Sequence, residues 1–420
     1  MSGCKGESVL VRITACAVVL AVAGGAVAEG VQPVAGAIGE TKFIADVRLR
    51  YEFVDQEPFT KDANAVTARA RLGFETGKAW NTSLLVEGDA VWPLQTHYNS
   101  TINGNVTYPV VADPEAYELN RLQLTNTSIV DTTLTLGRQR TILDDHRFVG
   151  NVGWRQNEQT FDAVRVVNKH IPNLTIDVSY LNQVNRVFGP DGLPGPNDGR
   201  FHGDTFLGNV AMQTAFGKVT AFGYLIEFEE KPLPVRDSSQ TYGLRLQGER
   251  PLSRVKLAYI ASWATQTDYR GNPLQFSNDY YLAELNGTFR QFTLGGGYEV
   301  LQGNGVKGFT TPLATLHRFQ GWADKFLTTP VNGIVDLYAN GGYLRKGFGP
   351  LETFSINAIW HDFESERAGI DYGQELDIQL QGKYHRFTGT LKYADYNAAS
   401  STPLAVRDTR KLWAQIDFVW

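Results

Sequence analysis

The sequence predicts an all-β fold, namely a transmembrane antiparallel barrel of about eighteen strands with short periplasmic turns and long extracellular loops. Three observations predict it. Segments of about ten residues alternate apolar and polar side chains along most of the chain. Glycine (42 of 420 residues) and aromatic residues (12%) are abundant, whereas methionine occurs only twice. The connections between segments alternate between short and long, which is typical of bacterial outer-membrane barrels.

The first 28 residues have the features of a signal peptide. Lys5 and Arg12 precede or border an apolar run at 13–22, and an Ala-x-Ala cleavage pattern ends at Ala28. We therefore expect a signal peptide at 1–28, a short periplasmic segment at 29–40 and a single barrel at 41–420. Both cysteines, Cys4 and Cys16, lie in the leader, so the mature chain has no thiol for a disulfide, a metal site or nucleophilic catalysis.

The alternation is strongest at the two ends of the predicted barrel. In the first segment Val47 and Leu49 share one face while Arg48 and Arg50 share the other. The second and third segments, at 66–75 and 80–92, repeat this pattern, and so do those at 375–380 and 412–420. The chain ends at Trp420, and a terminal aromatic residue on an alternating strand resembles the signal that the outer-membrane assembly machinery recognises. Since the polar face carries dense charge of both signs, we expect lipid outside and water inside.

The connections support the same arrangement. The short ones are predicted at 77–78, 131–132, 216–218, 250–253, 288–291 and 385–386. The long ones are predicted at 93–115, 141–157, 185–203, 267–277, 302–330, 363–373 and 397–408. An even number of strands then puts both termini on the periplasmic side, in the outer membrane of a Gram-negative bacterium. Closure of the barrel leaves no exposed strand edge.

Basic side chains are concentrated on the face predicted to point inward. Two adjacent strands place four arginines on one wall, and further inward cations follow along the chain: Arg48, Arg50, Arg69 and Arg71, then Arg121, Arg245 and Lys256. Guanidinium groups bind carboxylates in a bidentate manner, so such a wall would attract anionic solutes. The alternative is an electrostatic network that maintains the shape of the barrel and fills its lumen.

Other classes of function have little support in the sequence. Without Lys5, Glu7 and Arg12 the mature chain has 37 basic and 43 acidic residues, a net charge of −6, which does not favour nucleic acid. No histidines have the spacing of a metal site, and no catalytic set is recognisable, so we predict neither an enzyme nor a cofactor. Asp144 and Asp145 beside His146 could bind a cation, but a solvated loop is the favoured explanation of this sequence.

Two stretches resemble a known family. The first runs from Leu136-Gly137-Arg138-Gln139-Arg140 through 144–150 and 154–157 to Thr160-Phe161-Asp162-Ala163-Val164-Arg165. The second comprises Thr311-Pro312-Leu313, Leu316-His317-Arg318-Phe319 and 321–326. Together these stretches resemble the alginate-export family of outer-membrane channels. The resemblance covers the mature chain from about residue 40 to the end. The resemblance implies a monomeric channel for an anionic polyuronate, with arginines at its constriction.

The resemblance also implies particular contacts in the lumen. Arg138 and Arg165 would contact the solute, with Asp162 as their neighbour. By parity Arg138 shares the lipid-facing side of Leu134 and Leu136, and a bulge at Gly137 would be needed to turn it inward. The connection at 302–330 is too long for a simple link, so we expect it to fold into or over the mouth, where Trp322, Asp324 and Lys325 would hold it.

These observations favour a passive channel for anionic saccharides, such as a polyuronate or its oligomers, in contact with outer-membrane lipid. A general or other small-substrate uptake porin is the first alternative. A closed structural or adhesion barrel with long loops facing a partner is the second.

Overall fold

The computed structural model describes residues 31–420, in which one sheet of eighteen antiparallel strands closes on itself. The predicted signal peptide lies outside the described residues. A helix, α1 (Val31–Gly39), precedes the sheet. The strands are β1 (Lys42–Gln56), β2 (Ala63–Glu75), β3 (Thr82–His97), β4 (Ala116–Asn126), β5 (Thr132–Gln139), β6 (Thr160–Asn168), β7 (Leu174–Asn185), β8 (Arg200–Thr214), β9 (Gly217–Ile226), β10 (Ser239–Leu252), β11 (Val255–Asp268), β12 (Ser277–Phe289), β13 (Phe292–Leu301), β14 (Ile334–Phe348), β15 (Leu351–Glu364), β16 (Asp371–Tyr384), β17 (Phe387–Ala398) and β18 (Thr409–Val419). No helix within 31–420 is long and apolar enough to cross a bilayer.

Each strand pairs with its neighbours in the sequence, and the first strand pairs with the last. The closing register of β1 with β18 runs from Asp46 opposite Val419 to Gln56 opposite Thr409. Closure gives every strand two partners, so no edge is left to pair with another chain. The predicted all-β class and the strand number of about eighteen are confirmed.

Alternation along each strand separates an apolar outer face from a polar inner face. Leu72, Leu285 and Ile416 are more than half exposed, whereas their sequence neighbours of opposite parity are covered inside the barrel. Aromatic residues are exposed on the same outer face, among them Trp92, Tyr117, Phe206, Tyr242, Trp263, Phe292, Trp360 and Phe387. An exposed apolar belt around a closed barrel is stable only in lipid, which agrees with the predicted outer-membrane location.

The connections differ in length between the two ends of the barrel. Turns of two residues join β8 to β9, β10 to β11, β12 to β13 and β16 to β17 at one end. At the other end the connections are longer, and we call two of them loop A (140–159, between β5 and β6) and loop B (302–333, between β13 and β14). In outer-membrane barrels the short turns are periplasmic, so loops A and B start from the extracellular rim.

Loops A and B fold into the lumen and form its core. Phe148 of loop A lies with its ring centroid 4.9 Å from that of Phe222 and 5.3 Å from that of Tyr280. In loop B, Phe309 and Leu313 are fully buried in the same cluster. The interior of the barrel is therefore partly filled by its own loops.

Candidate functional site: the loop-filled lumen

The four arginines of β1 and β2 (Arg48, Arg50, Arg69 and Arg71, the wall arginines) lie side by side on the inner face. In the register of the two strands Arg48 stands opposite Arg69, and Asp46 stands opposite Arg71. Each arginine has a polar partner on the wall. Arg48 donates to Asp417 at 2.7 Å and Arg71 to Asp89 at 2.8 Å. Arg69 pairs with Asp46, and Arg50 donates to the side-chain oxygen of Gln415 at 2.9 Å.

Three of the wall arginines, Arg48, Arg50 and Arg71, also hold loop A against the barrel. Arg48 Nη1 donates to the carbonyls of Gly153 and Trp154, each at 3.1 Å. Arg50 donates to the Trp154 carbonyl, and Arg71 donates to the carbonyl of Gln156 at 2.9 Å. The wall-arginine side chains are at most 12% exposed. Their charge therefore fixes loop A, and little of it faces a passing solute.

Four other cations predicted to face the lumen also carry carboxylate partners. Arg121 pairs with Glu87, and Arg165 pairs with Asp177. Arg245 lies 2.9 Å from Asp145 of loop A. Lys256 lies 3.0 Å from Glu249 near the short-turn end, where both side chains are more than half exposed. Asp144 pairs with Lys218 at 2.8 Å, so Asp144 and Asp145 each have a protein cation in place of a metal ion.

Arg138 and Asp162 lie on the other face of the barrel. They form an ion pair, with Nε and Oδ1 2.7 Å apart. Arg138 stands opposite Leu122, which is 43% exposed on the outer surface, and Asp162 is two residues from the outward-facing Val164. Gly137 has a φ of 108°, but the register continues through it without a shift, so the side chain of Arg138 keeps its outward parity. The expectation that Arg138 and Asp162 contact a solute in the lumen is corrected by this register.

Loops A and B are joined by backbone hydrogen bonds. Gly150 donates to the carbonyl of Leu313 at 2.8 Å, and Thr315 donates to that of His146 at 3.0 Å. The side chain of Gln159 reaches the same Leu313 carbonyl at 2.9 Å. The two loops therefore form one unit inside the barrel.

Asp324 of loop B connects this unit to the wall. Its carboxylate lies 2.7 Å from His317 Nδ1, 3.1 Å from Arg155 Nη2 and 2.8 Å from Lys411 Nζ. Burial alone would raise the pKa of Asp324, but the facing His317, Lys411 and Arg155 hold it well below its usual range. Asp324 is therefore a buried carboxylate anion that joins loop A, loop B and strand β18.

His317 continues this contact network to strand β17. Burial lowers the pKa of His317 well below its ordinary value, so the ring is neutral. A neutral ring can donate from Nδ1 to Asp324 and accept at Nε2 from Lys392 Nζ, which lies 2.7 Å away. The indoles of Trp154 and Trp322 surround the same ammonium, with ring centroids 4.2 and 3.6 Å from Nζ.

The backbone N–H groups of Trp322 and Ala323 complete the attachment of loop B. The backbone N–H of Trp322 donates to Asp377 at 3.1 Å, and that of Ala323 donates to Glu375 at 2.6 Å. Burial and the charge of Lys411 lower the pKa of Lys325 to about 8. The segment from Trp322 to Lys325 is thus bound to strands β16 and β18 through both backbone and side-chain groups.

On the opposite side of the lumen a cavity of about 370 Å³ remains open between loop B and strands β11–β16. Polar side chains line it, including those of Asn286, Gln320, Asn340, Asn357 and Gln379. It also carries charged groups, which are Asp145, Glu284, Glu299, Arg318, Asp336 and His361.

Most carboxylates of the cavity are already paired. Asp145 is bound by Arg245, Glu299 lies 2.9 Å from Arg147 Nε, and Asp336 lies 2.9 Å from His361 Nδ1. Glu284 accepts from Tyr338 at 2.6 Å and from Asn286 at 2.8 Å, and no cation within 31–420 pairs with it.

Arg318 is the counterpart of Glu284 in this cavity. Its side chain is exposed, and within residues 31–420 its guanidinium has no hydrogen bond or ion pair. The ring of Phe319 lies beside it, with its centroid 5.9 Å from the guanidinium carbon. Arg318 stands on the short helix Leu316–Arg318, which carries His317 toward the wall and Arg318 toward the cavity. Strand parity does not identify Arg318, because parity does not apply to a residue in a loop.

The fold is that of several crystallised bacterial barrels. OccK5 (OpdH) of Pseudomonas aeruginosa aligns with a TM-score of 0.64 and 13% identity, covering 91% of this chain and 99% of its own. OccAB4 of Acinetobacter baumannii aligns with a TM-score of 0.67 and 12% identity, covering 91% and 98%. OccK2 (OpdF) of P. aeruginosa, crystallised with glucuronate, aligns with a TM-score of 0.62 and 16% identity, covering 91% and 99%.

At these identities the likeness shows the eighteen-stranded barrel fold. No protein-family model matches the sequence, and no curated protein matches it. The resemblance to the alginate-export family therefore has no support at the level of the family and stays a prediction. Together with the apolar outer belt, the fold confirms the predicted location in the outer membrane of a Gram-negative bacterium.

Proposed function

We propose that the barrel is an outer-membrane diffusion channel for small solutes that carry a carboxylate, of the size of a hexuronate. The observation that supports this proposal best is the exposed guanidinium of Arg318 in the cavity beside loop B. A guanidinium without a carboxylate partner of its own is available to bind a carboxylate in a bidentate manner. The surrounding amides suit the hydroxyl groups of an acidic sugar.

The crystal structure of a barrel with the same fold supports the choice of solute. OccK2 was crystallised with glucuronate, which is a hexuronate. We infer that acidic sugars from monomers to short oligomers are the substrate class, with alginate-derived uronates among them. The passage is passive, since weak contacts that form and break are sufficient for a solute to move along its gradient.

The test is current block by glucuronate in planar bilayers that contain the full chain. We expect the wild-type channel to conduct and glucuronate to reduce the current, and we expect Arg318→Ala to weaken this block by about tenfold or more, because a hydrogen bond to a charged group contributes about 1.5–3 kcal/mol. Arg407→Ala is the matched control, since Arg407 is exposed in the connection between β17 and β18 and its guanidinium donates, among the described residues, to the carbonyls of Leu404 and Val406.

Three outcomes would contradict the proposal. Equal glucuronate block in wild type and Arg318→Ala would remove Arg318 from the site. Passage of neutral sugars at the rate of glucuronate, measured by liposome swelling, would favour a general porin. A folded barrel, recognised by heat-modifiable migration, that carries no current would favour a closed structural or adhesion barrel.

A further inference from the structure

A second concave site lies on the outer surface of the barrel, across strands β6–β10. It has a volume of about 490 Å³ and a lining that is almost wholly apolar. Val164, Val166 and Val178 form one side, and Phe206, Leu225 and Tyr242 form the other. Val178, Phe206 and Tyr242 are between 45% and 50% exposed, so the groove opens toward the membrane and not toward the lumen.

Two glycines form the floor of this groove. Gly208 of β8 stands opposite Gly223 of β9 in the strand register. A Cβ at Gly208 would lie 3.8 Å from the nearest backbone atom and 4.0 Å from Val178, which is ordinary contact, and the backbone there has no positive φ. The barrel would therefore accept a side chain at position 208. The glycine leaves a depression that packing within the chain does not require.

A polar rim borders the groove on the side of the long loops. Asp204 lies two residues beyond Phe206 on the same outer face, a distance of roughly 7 Å along the strand. It accepts from Tyr180 at 2.6 Å and lies 3.8 Å from Arg270, which in turn donates to Glu227 at 2.7 Å. On β6, Asp162 likewise lies two residues beyond Val164 on the outer face, toward the long loops, and it pairs with Arg138.

This rim places the groove in the outer leaflet. Charged outward-facing side chains are stable at the headgroup level and costly in the hydrocarbon core, which is about 30 Å thick. A groove that begins roughly 7 Å below such groups lies within the outer half of that core. In the Gram-negative outer membrane this half consists of the acyl chains of lipid A.

We propose that the groove binds one acyl chain of lipid A. The apolar lining matches a saturated chain, and the small residues at 208 and 223 let it pack against the backbone. At the rim Arg270 can bind a phosphate of the sugar headgroup, because its guanidinium pairs with Glu227 through Nη1 and carries further N–H donors. The rim carboxylates can accept from hydroxyl groups. Arg270 is 43% exposed, so its guanidinium is accessible to such a ligand.

The experiment measures lipid bound to the purified full-length barrel by native mass spectrometry. Hexa-acylated lipid A and phosphatidylethanolamine are added separately to the protein in detergent. We expect lipid A to bind the wild-type protein in preference to phosphatidylethanolamine. Gly208→Leu fills the groove and should weaken lipid A binding by roughly tenfold, because contacts of about two methylene groups are lost.

The matched control is Gly389→Leu on strand β17. Gly389 lies on the outer face next to Leu391 and has no positive φ, and a Cβ at this position would have its nearest neighbouring atom 4.0 Å away. It lies three residues from the periplasmic turn at 385–386 and far from the groove around the barrel, so Gly389→Leu should bind lipid A like wild type. Heat-modifiable migration checks the folding of both variants. If Gly208→Leu does not fold, Gly208→Ala should fold and give a smaller loss in the same direction.

Three results would overturn the proposal. The first is equal binding of lipid A by the wild type and by the folded position-208 variants. The second is equal or tighter binding of phosphatidylethanolamine. The third is a dimer of the barrel that binds no lipid A and dissociates in Gly208→Leu, which would assign the groove to a second copy of the chain. None of these results depends on conductance, so this test is separate from that of the proposed channel.

Discussion

The two sides of the lumen use arginine in opposite ways. On the β1–β2 wall four adjacent guanidiniums are covered, and their hydrogen bonds go to carboxylates, to Gln415 and to the backbone of loop A. On the β12–β15 side a single guanidinium, that of Arg318, faces a cavity without a hydrogen bond or ion pair to any residue of 31–420. The comparison teaches that the number of cations on a wall does not give the charge that a solute meets. What matters is which of them the protein has left unpaired.

The largest effect is expected at Asp324, the carboxylate that joins loops A and B to the β18 side of the barrel wall. Asp324→Ala removes the common partner of Arg155, His317 and Lys411. Arg155 keeps Glu52 at 3.2 Å, but the buried ammonium of Lys411 is left without a carboxylate partner among the described residues. Breaking such a buried pair costs about 3–5 kcal/mol. We expect loops A and B to detach from the wall, so single-channel recordings should show a larger and noisier conductance than wild type.

The control for this prediction is Asp191→Ala, in the exposed part of the connection between β7 and β8. It removes the same charge from an extracellular loop, so its conductance should match that of wild type. A quiet channel of wild-type conductance in Asp324→Ala would show that Asp324 does not hold the loops.

A smaller effect is expected at a wall arginine, and it should differ in kind from the effect at Arg318. Arg50→Ala removes the donors to Gln415, Trp154 and Asp113. The Trp154 carbonyl keeps the donor from Arg48, and Asp113 keeps that from the N–H of Gln156. The side-chain oxygen of Gln415 loses its donor at a cost of about 1–3 kcal/mol, so the temperature of the heat-modifiable shift should fall. Glucuronate block should change little.

Arg318→Ala should do the reverse, with weaker block and an unchanged unfolding temperature, because no hydrogen bond within 31–420 depends on its guanidinium. If Arg50→Ala abolished the block while the barrel stayed as stable as wild type, the contrast between the two sides would be wrong.

Strand periodicity is sufficient to predict which side chains point inward, but not what they meet there. The inward position of Arg48, Arg50, Arg69 and Arg71 follows from alternation over two strands. Their partners do not, since Arg50 meets Asp113 and Trp154, which lie 63 and 104 residues away in loops. Alternation specifies a face, whereas the path of a long loop depends on contacts made throughout the lumen.

Arg138 and Arg318 show where prediction from the sequence goes wrong. The family resemblance places Arg138 in the lumen, whereas its parity with Leu134 and Leu136 points outward, and the register of β4 with β5 agrees with the parity. Arg318 belongs to a loop, so alternation gives it no face. The motif around Leu316-His317-Arg318-Phe319 is nevertheless visible in the sequence, and a cation in an inward loop is the signal that could have identified it.

The smallest effect concerns pH and the attachment of loop B. Burial and the nearby Lys411 lower the pKa of Lys325 to about 8, from 10.5 in an unfolded chain, although Glu375, Asp324 and Asp408 partly offset this. Between about pH 8 and 10.5 the detached loop binds more protons at Lys325 than the attached loop does. The free energy that holds loop B in place therefore rises with pH over this window. Below about pH 8 Lys325 is protonated in both states, so its titration adds no pH dependence to this free energy.

Loop openings seen as brief conductance increases should therefore become rarer from pH 7.5 to pH 9.5 in the wild-type channel. In Lys325→Met the frequency of openings should be the same at pH 7.5 and pH 9.5. Openings at pH 7.5 should already be rare in this variant, because the buried charge that faces Lys411 is gone. Glucuronate block should not follow this pH dependence, since the proposed glucuronate site does not include Lys325. The contrary result would be openings that become more frequent with rising pH in wild type and in Lys325→Met alike. A group other than Lys325 would then control how loop B is attached to the wall of the barrel.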